Sequence, residues 1–143
     1  MPPYLPQHPG PLPIFLLFNS SLCFYISTLS FFHFASARSV YQGCNAPSQV
    51  THLSIRTFGA WTFLSGFVRL YAAYNITNPQ FYALVTWAYI ASCIHYGSEA
   101  LVYRTMKLGM FGTLMSFVVD GGGLIWLLLG WKDVVGEGWG LIS

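Results

Sequence analysis

His95 and Glu99 stand four residues apart in the run HYGSEALVYR, residues 95–104, and that spacing puts both on one face of a helix. An imidazole and a carboxylate so placed could supply two metal ligands or two stations on a proton path. Arg69 in FVRLYAAY and Asp120 in VVDGGG add a cation and an anion to similarly apolar surroundings. Ionisable groups in such places mark transport pathways, or else pair with one another. The spacing completes no stronger chemistry. There is no HExxH helix, and His8, His33 and His52 fall in separate segments, so no metal-ligand set assembles. Cys23, Cys44 and Cys93 share no CxxC spacing. No P-loop or GxGxxG fingerprint is present, and KLGMFG lacks the strand–turn–helix context such a loop needs. The sequence assigns no catalytic, cofactor-binding or metal residue, and His95 reads first as a hydrogen-bonded packing residue.

The elements that hold these groups follow from composition. Hydrophobic residues make up 55% of the 143, and Asp, Glu, Lys and Arg only 7%, against about 25% in an ordinary soluble domain. So few charges leave too little polar surface to face water. A net charge of +2 with no dense basic patch argues against nucleic-acid binding. Four apolar blocks, at 14–34, 57–74, 81–103 and 110–129, are each near the length of one bilayer crossing. The expected fold is all-α, a single polytopic transmembrane four-helix bundle, because lipid-exposed backbone must satisfy its own hydrogen bonds. An irregular proline-rich leader, 1–13, precedes it. With no Lys or Arg the leader lacks the basic region of a signal peptide, so the first block is expected to remain as a span. A tail at 130–143, with Trp131 and Trp139, is expected at the membrane interface. Gly59, Ala60, Ser65 and Gly66 would let helices approach closely, and Gly121–Gly123 allows either a break or a continuous flexible helix. Asn75-Ile76-Thr77 is a glycosylation sequon set too near two spans to be used readily.

With four spans, Arg38, Arg56, Arg104 and Lys107 gather on one face, which the positive-inside rule puts in the cytosol with both termini lumenal. Measured from that basic rim at ~1.5 Å per residue, Glu99 lies ~6–8 Å deep, His95 ~12–14 Å, Asp120 ~15 Å and Arg69 ~20 Å. The expectation is an intramembrane polar seam in which Arg69, Asp120 and His95 lie deep and Glu99 sits near Arg56 or Arg104. The rim cations would contact partner proteins or lipid phosphate. The residues alone support a membrane protein whose polar faces bind its own helices or partners. The alternatives are a small membrane-embedded lipid-modifying enzyme and, behind it, a transporter using the buried polar residues.

Two longer runs narrow this. THLSIRTFGAWTFLSGFVRLYAAY, residues 51–74, and HYGSEALVYRTMKLG, residues 95–109, resemble the ergosterol biosynthesis protein 28 family, and Arg38 with Val40-Tyr41 fits its first connection. The resemblance spans most of residues 14–131. DGGG and the tail fall outside its strong matches, and the single Arg38 stands where a paired basic step is common. It implies a non-enzymatic, multi-pass scaffold of the endoplasmic-reticulum membrane, needing no cofactor. Such a scaffold would gather the C-4 methyl sterol oxidase, the C-3 sterol dehydrogenase/decarboxylase and the 3-keto sterol reductase, with contacts to the sterol C-24 methyltransferase and to membrane lipids. It also implies a packing or partner face that includes Thr51, His52, Thr57, Phe58, Gly59, Trp61, Thr62 and Phe63.

Overall fold

Prolines and small polar residues mark where the helices begin. The computed structural model describes residues 4–136, and among them all regular structure is helical. Helix α1, Leu12–Phe32, opens with Pro11 as its cap and Pro13 in the first turn, where a missing N–H costs nothing. Two short helices, α2 (Phe34–Arg38) and α3 (Ala46–Gln49), occupy the first connection. Helix α4, His52–Tyr74, starts at a reciprocal cap: Ser54 N donates to Thr51 Oγ1 at 3.2 Å and Thr51 N to Ser54 Oγ at 2.9 Å. That cap satisfies end groups which would otherwise be free, so α4 begins at His52 rather than at the expected Thr57. Helix α5, Pro79–Leu101, is capped by Asn78, which accepts from Gln80 N at 2.9 Å.

The last long segment, Phe111–Val135, comprises α6 (Phe111–Ser116), a π turn (Phe117–Gly121) and α7 (Gly122–Val135). It passes through Gly121–Gly123 without a break. It also runs beyond the expected residue 129, so 130–135 are helix, while residues 137–143 of the expected tail lie outside the described residues. Two of these segments, Leu12–Phe32 and Phe111–Val135, are long and apolar enough to cross a membrane. Helices α4 and α5 have 23 residues each but are less apolar.

Neighbouring long helices run antiparallel. Ser20 Oγ donates to the Gly66 carbonyl at 2.8 Å and Ser27 Oγ to the Gly59 carbonyl at 2.9 Å, which lays α1 along α4 two turns at a time. Both glycines are needed for this approach. A Cβ on Gly59 would stand 2.7 Å from Ser30 Cβ, and one on Gly66 3.0 Å from the Phe24 ring. Ala60, by contrast, is exposed. Helix α7 lies against α5, where Tyr82 donates to the Leu127 carbonyl at 2.8 Å, and a Cβ on Gly123 would collide with the Tyr89 ring.

Two apolar cores result. One contains Leu12, Leu16, Ala72, Tyr82, Val85, Tyr89 and Leu127; the other contains Ala37, Tyr41, Ile55, Phe58, Tyr96 and Met106. Along α4 and α5 the polar residues Ser65, Arg69 and Ser92 fall between these two cores.

Candidate functional site

Arg69 is 2% exposed, and its guanidinium joins α4, α5 and the last segment directly and α1 through Tyr89. Its Nη2 donates to Asp120 Oδ1 at 2.9 Å and to Ser92 Oγ at 3.3 Å. Its Nη1 reaches the Ser65 carbonyl at 3.3 Å and also contacts Ser65 Oγ. The Tyr89 ring lies beneath it, 4.4 Å from centroid to Cζ, and Asn19 Nδ2 of α1 donates to Tyr89 Oη at 2.6 Å. The π turn carries Asp120 at this point, in a widened stretch of helix of the kind that often marks functional positions. Among the described residues Arg69–Asp120 is the only ion pair.

His95 lies apart from that pair. Its Nε2 shares a 2.9 Å hydrogen bond with Tyr41 Oη, and its ring stacks on Phe58 and meets Trp61 edge-on. Burial holds the Tyr41 hydroxyl well above the ordinary tyrosine range, with Tyr96 and Glu99 adding to the effect, so it meets the imidazole as a neutral phenol. Glu99 forms no ion pair with Arg56 or Arg104. It receives the Thr105 hydroxyl, while its own carbonyl accepts Thr105 N at 2.9 Å and Met106 N at 3.3 Å. Glu99 thus folds the chain after α5 back over the helix end.

That returning loop docks on the first connection. Gly43 N donates to the Thr105 carbonyl at 2.7 Å, Asn45 N to the Arg104 carbonyl at 3.3 Å, and Asn45 Nδ2 to the Tyr103 carbonyl at 2.8 Å. Arg104 holds this shape with φ of 55°, a left-handed conformation uncommon outside glycine. The two connections therefore form one surface. Arg56, Arg104 and Lys107 are exposed, while Arg38 is half-buried with its guanidinium 6.0 Å from the Phe34 ring centroid.

The face offered for partners divides by helical phase. Phe58, Gly59 and Thr62 point inward; Thr57 and Phe63 are exposed; Trp61 is half-buried. Thr51 is the α4 cap, and His52 stacks on Phe34 at 3.8 Å. Sequence reasoning did not single out Tyr89 and Ser92, and it reached Tyr41 and Thr105 only through the family resemblance, with no contact assigned to either. For Tyr89 and Ser92 the available signal was that every buried charge needs donors or acceptors, which hydroxyls at helical spacing on a neighbouring helix can supply.

Two cavities adjoin the His95–Glu99 region and the Arg69–Asp120 pair. One, about 570 Å³, is lined by Tyr41, Phe58, Trp61, His95 and Glu99. The other, about 430 Å³, lies among α1, α4, α5 and α6 and includes Arg69 and Asp120 in its wall. Among the described residues no three His, Cys, Asp or Glu side chains cluster as metal ligands.

Residues 12–125 match the family model described as "Erg28 like protein". The chain is 38% identical to the ergosterol biosynthetic protein 28 of Saccharomyces cerevisiae over 136 residues, covering 91% of this chain and 86% of the relative. It is 46% identical to the protein of that name from Schizosaccharomyces pombe over 83 residues, 58% of each chain. It is 37% identical over 71 residues to the ergosterol biosynthetic protein 28 homolog of Homo sapiens, covering 48% of this chain and 51% of that one. No solved structure matches.

Proposed function

The chain belongs to the Erg28 like protein family, and from that premise we propose that it is a non-enzymatic membrane scaffold for sterol synthesis. Its task is to hold the C-4 methyl sterol oxidase, the C-3 sterol dehydrogenase/decarboxylase and the 3-keto sterol reductase together in the endoplasmic-reticulum membrane, with the sterol C-24 methyltransferase in contact. Enzymes held side by side meet each intermediate at raised effective concentration. The intermediates are apolar, so they pass along the bilayer in preference to water.

The observation that carries this reading is the family match across 12–125. The interior agrees with it: Arg69, Asp120 and Glu99 are each engaged with side chains of the protein itself. In this reading the polar seam holds helices together.

We place four spans in the membrane, α1, α4, α5 and Phe111–Val135. Helices of 21, 23, 23 and 25 residues are ~32–38 Å long, enough for the ~30 Å hydrocarbon layer. Large apolar side chains are exposed on every one of them, among them Phe18, Leu64, Ile94 and Leu129. The polar groups of α4 and α5 that lower their hydropathy include Arg69 and Ser92, bonded inside the protein. The surface carrying Arg56, Arg104 and Lys107 faces the cytosol and both termini face the lumen. There the cations meet partner proteins and lipid phosphate together.

The test is retrieval of the tagged chain from solubilised microsomes, with mass spectrometry of what accompanies it and sterol analysis of a deletion strain. The sterol enzymes co-purify, and the deletion accumulates C-4-methylated sterols. C-4 demethylation by the chain purified away from those enzymes would overturn the reading.

A further inference from the structure

The cavity of about 570 Å³ begins at the connections and runs down between α4 and α5. Its deep end is aromatic. Phe58 and Trp61 of α4, His95 of α5 and Tyr41 of the first connection meet there ring against ring. Glu99 lies four residues beyond His95, one helical turn and ~6 Å nearer the rim. Leu53 and Thr57, both exposed, mark the open side.

Among the described residues of this wall Glu99 is the only carboxylate, and no Lys or Arg joins it. One of its oxygens receives the Thr105 hydroxyl. The other, Oε1, is accessible and has no hydrogen-bond partner among the described residues. His95, one turn below, shares its hydrogen bond with Tyr41 instead. Carboxylates at membrane depth are stabilised by a cation, and no residue of this chain brings one to Glu99 among those described.

We propose that this slot receives a Lys or Arg side chain from a membrane-embedded helix of a partner protein. The order of groups along the slot fits such a side chain. Its apolar stem lies on the Phe58 and Trp61 rings, and its charged head reaches up to Glu99 Oε1, as basic side chains do near the ends of membrane helices. The rim sets the direction of approach. Arg56, Arg104 and Lys107 are exposed there and repel a basic segment arriving from the cytosol, so the cation enters from the bilayer side. A zwitterionic phospholipid fits less well. With its ammonium at Glu99, its phosphate would lie deeper, among the aromatic rings, where no Lys or Arg lines the wall. The proposal rests on the reading that the chain assembles partner enzymes, and it names one contact by which it does so.

The experiment puts the photocrosslinker p-benzoylphenylalanine in place of Leu53 in the full chain and irradiates microsomes that contain the sterol enzymes. The adduct maps to a membrane helix of one of them, with a Lys or Arg near its cytosolic end. Glu99→Gln keeps an amide oxygen for the Thr105 hydroxyl and removes the charge, and adduct yield falls about tenfold, the scale of one close charge pair. Changing the partner's cation to Gln has the same effect on the unaltered chain, and the two changes together cost no more than either one. Additive losses, or a yield that Glu99→Gln leaves unchanged, would overturn the proposal. So would adducts with lipid acyl chains alone, which give the slot to lipid, or with a partner segment that carries no cation. If Glu99→Gln lowers the melting temperature, the partner-side change still decides, because it leaves this chain untouched. Retrieval of the enzymes by the tagged wild-type chain is read separately. Retrieval without the Leu53 adduct removes the site and spares the scaffold, whereas failure of retrieval removes both.

Discussion

Arg69 and Asp120 are worth more together than either is alone. Removing one partner of a buried ion pair leaves an uncompensated charge, at a cost of about 3–5 kcal/mol. Arg69→Met or Asp120→Leu should therefore lower the melting temperature in mild detergent sharply, while the double variant, apolar on both sides, should recover much of the loss. Unchanged melting of both single variants would remove the pair from the account. Arg104 separates charge from shape in another way. Its φ of 55° suits glycine better than arginine, so Arg104→Gly should keep or raise stability, by up to ~1 kcal/mol. The same change should weaken retrieval of partners or binding to anionic vesicles. If retrieval and vesicle binding both match wild type, the rim charge has no recognition role at this position. Glu99 sits beside the same loop as a latch, its carboxylate holding Thr105.

At the scale of the helix, the contrast between glycines is the sharpest check. Gly66 faces Cys23 and Phe24 of α1, whereas a Cβ on Gly97 would meet nothing within 4 Å. Gly66→Leu should separate α1 from α4 and lose about 1–3 kcal/mol. Gly97→Ala should gain ~0.5–1 kcal/mol from helix propensity alone. Thermal unfolding of the two variants side by side decides it; equal effects would mean that the α1–α4 approach is not glycine-dependent. The helices themselves were legible because long apolar runs admit little else in lipid. The starts of α4 and α5 were less so, since Thr51 with Ser54 and Asn78 with Pro79 are capping pairs that hydropathy ignores. An Arg69–Asp120 pairing was anticipated from depth counted along the sequence. His95 went elsewhere because depth along a helix does not give the face, and Tyr41 lies in a connection whose path no periodicity reveals. The π turn has no signature in the sequence beyond the glycines that follow it.

For the whole molecule, the interlocked connections place Cys44 on the basic surface, exposed, while Cys93 is only partly so, within α5. A membrane-impermeant maleimide added to sealed microsomes should label Cys44 without permeabilisation and leave Cys93 unlabelled. Labelling of Cys44 only after permeabilisation would invert the orientation. In the proposed function the chain assembles enzymes and performs no step itself. The direct measurement is sterol flux through the three C-4 demethylation enzymes in liposomes, with and without the chain. With it, free intermediates should fall and overall flux rise, while each enzyme assayed singly keeps its own turnover. Conversion of a C-4-methyl sterol by the chain alone, or unchanged intermediate release when it is present, would contradict the account.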